Sequence, residues 1–271
     1  MVDASDNVFG GSIPDIYDEL LVPLIFDQYA DDLAARTSEL DPGDVLEVAA
    51  GSGVVSRAVA AVLDPASRYV ATDLNAPMLD RGKSMHDDPD RIVWKPADAS
   101  ALPFHDDTFD LVLCQFGVMF FPDRVQAYKE AFRVLRMGGT FVFSMWDRLE
   151  ENEFAFEVTE ALAEIYSDDP PNFLARTPHG HYDTTIYHSE LGEAGFDNVT
   201  VETVERVSVA SSATVPAVAY CQGTPLRNEI EVRTGPDLKE ATAHATHRIR
   251  QRFGDGEVQG RIRGFIITAS P

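Results

Sequence analysis

The sequence predicts an α/β fold built on a mostly parallel sheet. Three observations carry this. Short apolar runs alternate with amphipathic stretches roughly every 20 to 30 residues between positions 45 and 146, the rhythm of strands joined by helical crossovers. Most of the apolar runs end in a turn of small or acidic residues. The chain is 271 residues long and 44% hydrophobic, ordinary for a globular protein, and no run approaches the ~20 apolar residues of a membrane span.

The elements follow in order. Ile13, Tyr17, Leu20 and Leu21 share one helical face. Pro23 should break that helix, and Leu24, Ile25, Tyr29 and Leu33 continue with helical spacing to about residue 40. Asp41-Pro42-Gly43 is a turn. Val45 to Ala49 is a strand, Val54 to Leu63 a helix, Arg68 to Asp73 a strand and Pro77 to Met85 a helix. Ile92 to Pro96 and Phe109 to Phe116 are the third and fourth strands. Asp123 to Leu135 is a helix, and Gly138-Gly139 turns into a fifth strand, Thr140 to Trp146. Beyond that point Phe154, Val158, Leu162 and Ile165 mark an amphipathic helix, residues 168 to 183 a loop, and Thr185 to Ala194 a helix ended by Gly195. Val199 to Val209 alternates as a strand, 212 to 256 reads as helical, and Arg261 to Ala269 is the last strand. One domain over 1–271 is expected, with its core in 41–146, 185–209 and 257–271. Residues 1–40, 147–184 and 210–256 would be helical insertions covering the carboxyl ends of the strands.

Charge narrows the partners. There are 45 acidic and 22 basic residues, a net charge of −23, and the only lysines are Lys83, Lys95, Lys129 and Lys239. Such a surface repels phosphate backbones, so nucleic acid is not expected as a partner. The excess is spread along the chain, as in proteins of salt-loving organisms, where salt screens the self-repulsion. Stability is expected to rise between low and molar salt. Denaturant unfolding that showed no such gain would remove the halophilic reading. The first residues show no basic cluster followed by an apolar stretch, so a cytoplasmic location is expected, with no integral membrane segment. Cys114 and Cys221 form no pair or cluster with metal-ligand spacing, and no metal is expected.

Chemistry concentrates at the strand ends, where parallel α/β sheets bind ligands. The first strand runs into Glu47-Val48-Ala49-Ala50-Gly51-Ser52-Gly53, whose small residues let a ligand approach the backbone. The acid Glu47 suits a cationic group such as an ammonium. Asp73 ends the second strand, where a carboxylate can accept from both ribose hydroxyls. Asp98 follows the third and can accept from an exocyclic amine such as that of adenine. A nicotinamide cofactor is the competing reading. Ser56 is small enough for the third position of its fingerprint, but that reading gives no reason for Glu47 or Asp98.

Five segments then stand in a telling order: Glu-x-Ala-x-Gly-x-Gly from Glu47, Ala71-Thr72-Asp73-Leu74, Ala97-Asp98-Ala99-Ser100-Ala101-Leu102-Pro103-Phe104, Phe109 to Phe116, and Arg133-Val134-Leu135-Arg136-Met137-Gly138-Gly139. Together they resemble the class I S-adenosylmethionine-dependent methyltransferases. The branch most similar is the quinone-biosynthesis type, in which Ala often stands at the position of Ala49. The resemblance implies a Rossmann-like, mostly parallel seven-stranded sheet with a reversed last strand. It implies S-adenosylmethionine as cofactor and S-adenosylhomocysteine as product. Ala49, Ala50, Gly51, Ser52 and Gly53 would line the methionine part, Asp73 the ribose, and Leu74 the adenine face. Asp98 and Ala99 would meet the adenine edge, and Gln115 would border the sulfonium. The implied reaction is in-line methyl transfer to a small, lipophilic acceptor, in which alignment alone supplies on the order of 7–11 kcal/mol in model systems. Candidate general bases are Tyr17 and His181, from a wider set that includes His179, Tyr182 and His188. Phe116, Phe120 and Phe121 fit core packing better than an acceptor pocket, and Arg57 fits a surface salt bridge. A non-catalytic protein that binds the same cofactor and a partner is the alternative from a different class.

Overall fold

The computed structural model describes residues 11–88 and 90–271. The reading of the N-terminal leader, and the start of the 1–40 segment, lie outside the described residues. Helix α1 (Ile13–Ile16) runs into a wide π-type segment, Tyr17–Phe26, and on into α2 (Asp27–Leu40). The break expected at Pro23 does not occur. Proline has no N–H to donate, and the wide turns absorb the missing donor without ending the helical run.

The alternating region gives β1 (Asp44–Val48), α3 (Val54–Val62), β2 (Arg68–Asp73), α4 (Ala76–Ser84), β3 (Val93–Pro96), β4 (Phe109–Gln115), α5 (Arg124–Val134) and β5 (Leu135–Trp146). β1 pairs in parallel with β2 and β4, β2 with β3, and β4 with β5. Val45, Leu46 and Val48 are all buried, as a strand covered on both faces requires. α5 is capped by Asp123, whose side chain accepts from Gln126 N at 2.9 Å. β5 begins five residues earlier than the sequence suggested. Gly138-Gly139 is a bulge within it, where the register with β4 jumps from Phe109↔Leu135 to Leu111↔Thr140. Gly138 has φ +83°, and a Cβ on Gly139 would lie 2.9 Å from the Arg136 carbonyl oxygen.

The remainder contributes α6 (Glu153–Ile165), α7 (Phe173–Arg176), α8 (Thr184–Ala194), β6 (Asn198–Ala210), α9 (Thr214–Gln222), α10 (Leu226–Glu231), α11 (Leu238–Phe253) and β7 (Val258–Ser270). The sheet has seven strands in the order β3-β2-β1-β4-β5-β7-β6, with one reversed strand, as the resemblance implied. Among the described residues no helix is long and apolar enough to cross a membrane.

The chain divides into two units. The sheet unit comprises Asp27–Met145, Asp183–Thr203 and Phe265–Pro271. Its core holds Tyr29, Leu33, Phe109, Tyr128, Phe141 and Phe143, with Cys114 fully buried among the strands. Among the described residues, the helical unit comprises 11–26, Trp146–Tyr182 and Val204–Gly264. There Phe154, Ala161 and Leu162 of α6 and Ala245 and Ile249 of α11 are buried, and so is Cys221 of α9. Glu157, also buried, is held by Arg248 at 2.6 Å and Arg252 at 2.5 Å.

His179 belongs to the helical unit. Its Nδ1 donates to the Asp147 carbonyl at 2.8 Å, and burial pushes its pKa down to about 4 from 6.5. The native state therefore binds fewer protons here than the unfolded chain across that window. The stabilisation is present above about pH 6.5 and lost as pH falls through about 4. A His179→Gln variant is expected to show a shallower loss of stability between those values. Equal slopes for variant and parent in denaturant unfolding would refute this.

Candidate functional site at the carboxyl ends of the strands

The loop after β1 is shaped by backbone conformation. Ala49, Gly51 and Gly53 have φ of +55°, +56° and +78°. Only glycine adopts such angles without cost. Ala50 N donates to the Thr72 carbonyl at 2.9 Å, and Gly53 N to the Ala50 carbonyl at 2.9 Å. Arg57 turns back onto the loop, its Nη1 donating to the Ser52 carbonyl at 2.7 Å, so it braces the turn and is not simply a surface ion-pair partner. A Cβ on Gly53 would lie 2.5 Å from Trp94 Cη2, and one on Gly82 of α4 would lie 2.8 Å from Trp94 Cζ3. Trp94 of β3 therefore wedges against both glycines. Ala49 sits in the left-handed region at a cost of roughly 1–2 kcal/mol, partly offset because alanine has less unfolded-chain entropy to lose than glycine. An Ala49→Gly variant is expected to gain up to about 1 kcal/mol by urea unfolding; a loss would argue against strain at this position.

Asp73 closes the loop from β2. Its Oδ2 accepts from Gly51 N at 2.8 Å and its Oδ1 from Asn75 N at 2.7 Å. Burial pushes its carboxyl pKa up, and these backbone donors oppose that. Leu74 beside it is 64% exposed, an apolar side chain presented outward. Ala97 N donates to the Asp73 carbonyl at 3.0 Å, which sets the end of β3 beside the end of β2. There Asp98 is exposed and Ala99 half-buried, and Asp98 Oδ1 accepts from Ser100 N at 2.8 Å.

Gln115 is half-buried at the end of β4. The next residue, Phe116, has φ +49°, and its N–H donates to Ser144 of β5, to Oγ at 3.0 Å and to the carbonyl at 3.2 Å. Its ring is buried edge-on against Tyr29 at 5.0 Å, the packing role expected of it. A Cβ on Gly117 would lie 2.6 Å from Ala49 Cβ and 2.7 Å from Cys114 Sγ. The turns after β1 and β4 thus touch at two of their smallest residues.

Glu47 is placed differently from its neighbours. It is 1% exposed and turned inward, accepting from the hydroxyls of Ser56 and, at 2.7 Å, Tyr69. Burial pushes its pKa up to about 7. It lies beneath the loop and not on its surface. The structure therefore brings residues 49–53, Asp73, Leu74, Asp98, Ala99 and Gln115 to the ends of four adjacent strands. Tyr17 and His181, with His179 and Tyr182, belong to the helical unit, and of the wider set only His188, on α8, belongs to the sheet unit. Trp94, Ser144, Gly117 and Tyr69 were missed by the sequence reading. Each acts through a tertiary approach that no local pattern announces.

The donor set discriminates between ligands. Carboxylates stand at the rim on two neighbouring strand ends, Asp73 and Asp98, which disfavours an anionic pyrophosphate and favours a nucleoside carrying positive charge. A family model described as a methyltransferase domain matches residues 46–143. The chain is 30% identical to the ubiquinone/menaquinone biosynthesis C-methyltransferase UbiE of Neisseria meningitidis over 174 residues, 60% of this chain and 71% of that protein. The chain belongs to the class I S-adenosylmethionine-dependent methyltransferases.

The UbiE protein of Serratia proteamaculans is 29% identical to this methyltransferase over 168 residues, 58% of this chain and 67% of the relative. The chain thus spans about two thirds of the length of the curated relatives it matches. The fold is shared with YcgJ of Bacillus subtilis at 17% identity and a TM-score of 0.57, covering 89% of this chain and 97% of that one. A Bacillus halodurans C-125 protein of the methyltransferase class gives 21% and 0.55, covering 88% and 97%. S-adenosylmethionine is the cofactor of this family, and the non-catalytic alternative is not favoured.

Proposed function

We propose that the rim formed by residues 49–53, Asp73, Leu74, Asp98, Ala99 and Gln115 holds the cofactor and that methyl transfer goes to a small, lipophilic, quinone-like acceptor. The observation that carries the site is the Asp73 carboxylate. It is anchored by Gly51 N and Asn75 N, and its oxygens retain lone pairs for a ribose diol. Leu74 offers the adenine an apolar face, and Asp98 and Ala99 meet its edge. The left-handed turn at 49–53 exposes backbone to the methionine part, and Gln115 borders the sulfur. When bound, S-adenosylmethionine supplies a methyl group activated by a positively charged sulfur. The chain's own contribution is alignment: four strand ends fix the rim before any ligand arrives, and preorganisation lowers the barrier without a metal. The acceptor class is supported by the names of the relatives, which are quinone-pathway C-methyltransferases. The acidic surface supports a cytoplasmic protein working at high salt, with no nucleic-acid partner.

Calorimetry in molar salt with S-adenosylmethionine and S-adenosylhomocysteine tests the site. Binding of both is expected, and binding of neither overturns the reading. Incubation with a panel of hydroquinones and phenols, followed by mass analysis, tests the reaction. A gain of one methyl on one of them is expected; binding without turnover across the panel would favour the non-catalytic alternative.

A further inference from the structure

We propose that Glu47 is a proton-linked selector through which this site tells a cationic sulfonium ligand from its uncharged thioether product; the proposal rests on the cofactor reading above. Glu47 lies two residues before the turn, buried, and its hydrogen bonds come from two neutral hydroxyls, Ser56 on α3 and Tyr69 on β2. A buried carboxylate with only neutral donors is costly to ionise. The charged and titratable groups facing it are few. Arg57 on α3 attracts, though its guanidinium donates to the Ser52 carbonyl. Asp73 on β2 repels. Tyr69 on β2 and Cys114 on β4 are themselves pushed up by burial and stay neutral. Burial outweighs the rest and sets the Glu47 titration at about 7.

Ionised Glu47 would be a second anion beside Asp73. A ligand that brings positive sulfur to the rim favours that second negative charge, and a ligand with neutral sulfur does not. The coupling is reciprocal: the cation draws the proton off Glu47, and loss of the proton strengthens binding of the cation. At the effective dielectric of about 20 that suits buried sites, charges about 10 Å apart are coupled by more than tenfold in affinity, of which a titration centred near neutrality shows only part between about pH 6 and pH 8. Such a buried interaction is screened far less by salt than one at the surface. Substrate would then be favoured over product as pH rises through neutrality, and product would compete better below it.

The test is calorimetry on the full chain in molar salt, with S-adenosylmethionine and S-adenosylhomocysteine, between about pH 6 and pH 8. The ratio of the product Kd to the substrate Kd is expected to rise about three- to tenfold across that range in the parent and to stay flat in Glu47→Gln. Asp73 and the ligands' own amino groups titrate against both chains, so the difference between chains isolates Glu47. A flat ratio in the parent, or the same slope in Glu47→Gln, overturns the proposal. A second measurement needs no variant. Near pH 6.5, in buffers of different protonation enthalpy, substrate binding should release more protons than product binding; equal release overturns the proposal. Failure of both ligands to bind at every pH would instead sink the cofactor reading itself.

Discussion

Asp73→Ala is expected to weaken S-adenosylhomocysteine binding by about 2–4 kcal/mol, roughly 30- to 1,000-fold. Two losses combine. The ribose partner disappears, and the N–H groups of Gly51 and Asn75 lose the carboxylate that fixes them at 2.8 and 2.7 Å. The second loss loosens the turn that lines the methionine part. Asp73→Asn should fall between, because the amide keeps one acceptor oxygen but faces one backbone N–H with its NH2. Isothermal calorimetry reads the affinity, and thermal unfolding of the ligand-free protein reads the structural share. If Asp73→Ala bound within threefold of the parent, the ribose would have to lie elsewhere.

The second large effect is expected at Gly117. Its substitution by alanine puts a methyl 2.6 Å from Ala49 Cβ and 2.7 Å from Cys114 Sγ, with both neighbours on strand ends that cannot easily recede. Overpacking of this kind costs about 1–3 kcal/mol. Because the clash pushes on the turn after β1, cofactor affinity should fall as well. Ala49→Gly removes the nearer obstacle, so the double variant should recover part of both losses. A double-mutant cycle by urea unfolding measures that coupling. Strict additivity of the two changes would show that the two turns do not meet as described.

Much of this arrangement is written locally. The strand ends at Glu47, Asp73, Asp98 and Gln115 follow from apolar runs that stop at small or acidic residues, and a parallel sheet brings such ends to one rim. The reversed last strand was implied by the motifs taken together and by no single one. What local pattern could not reveal depends on the approach of distant residues. Glu47 reads as a rim anion until Ser56 and Tyr69 turn it inward. Pro23 reads as a helix stop because the cost of a missing N–H is judged for regular α turns; the wide segment sets a different cost. Gly138-Gly139 reads as a turn, and pairing with β4 makes it a bulge within a longer strand. Ala49 looked like a departure from the glycine pattern. Its φ of +55° shows that the backbone keeps the glycine conformation while the side chain contacts the turn after β4.

The two cysteines give the protein an internal clock. Cys114 lies in the sheet unit and Cys221 in the helical unit, both fully buried, and burial pushes both thiols up. Neither offers a thiolate to an alkylating reagent until its surroundings open. The labelling rate at each position therefore counts openings of one unit. Matching rates at Cys114 and Cys221 would mean that the units melt as a single cooperative body. Separate rates would mean that one can breathe while the other keeps its shape, and bound cofactor should slow only the clock at Cys114.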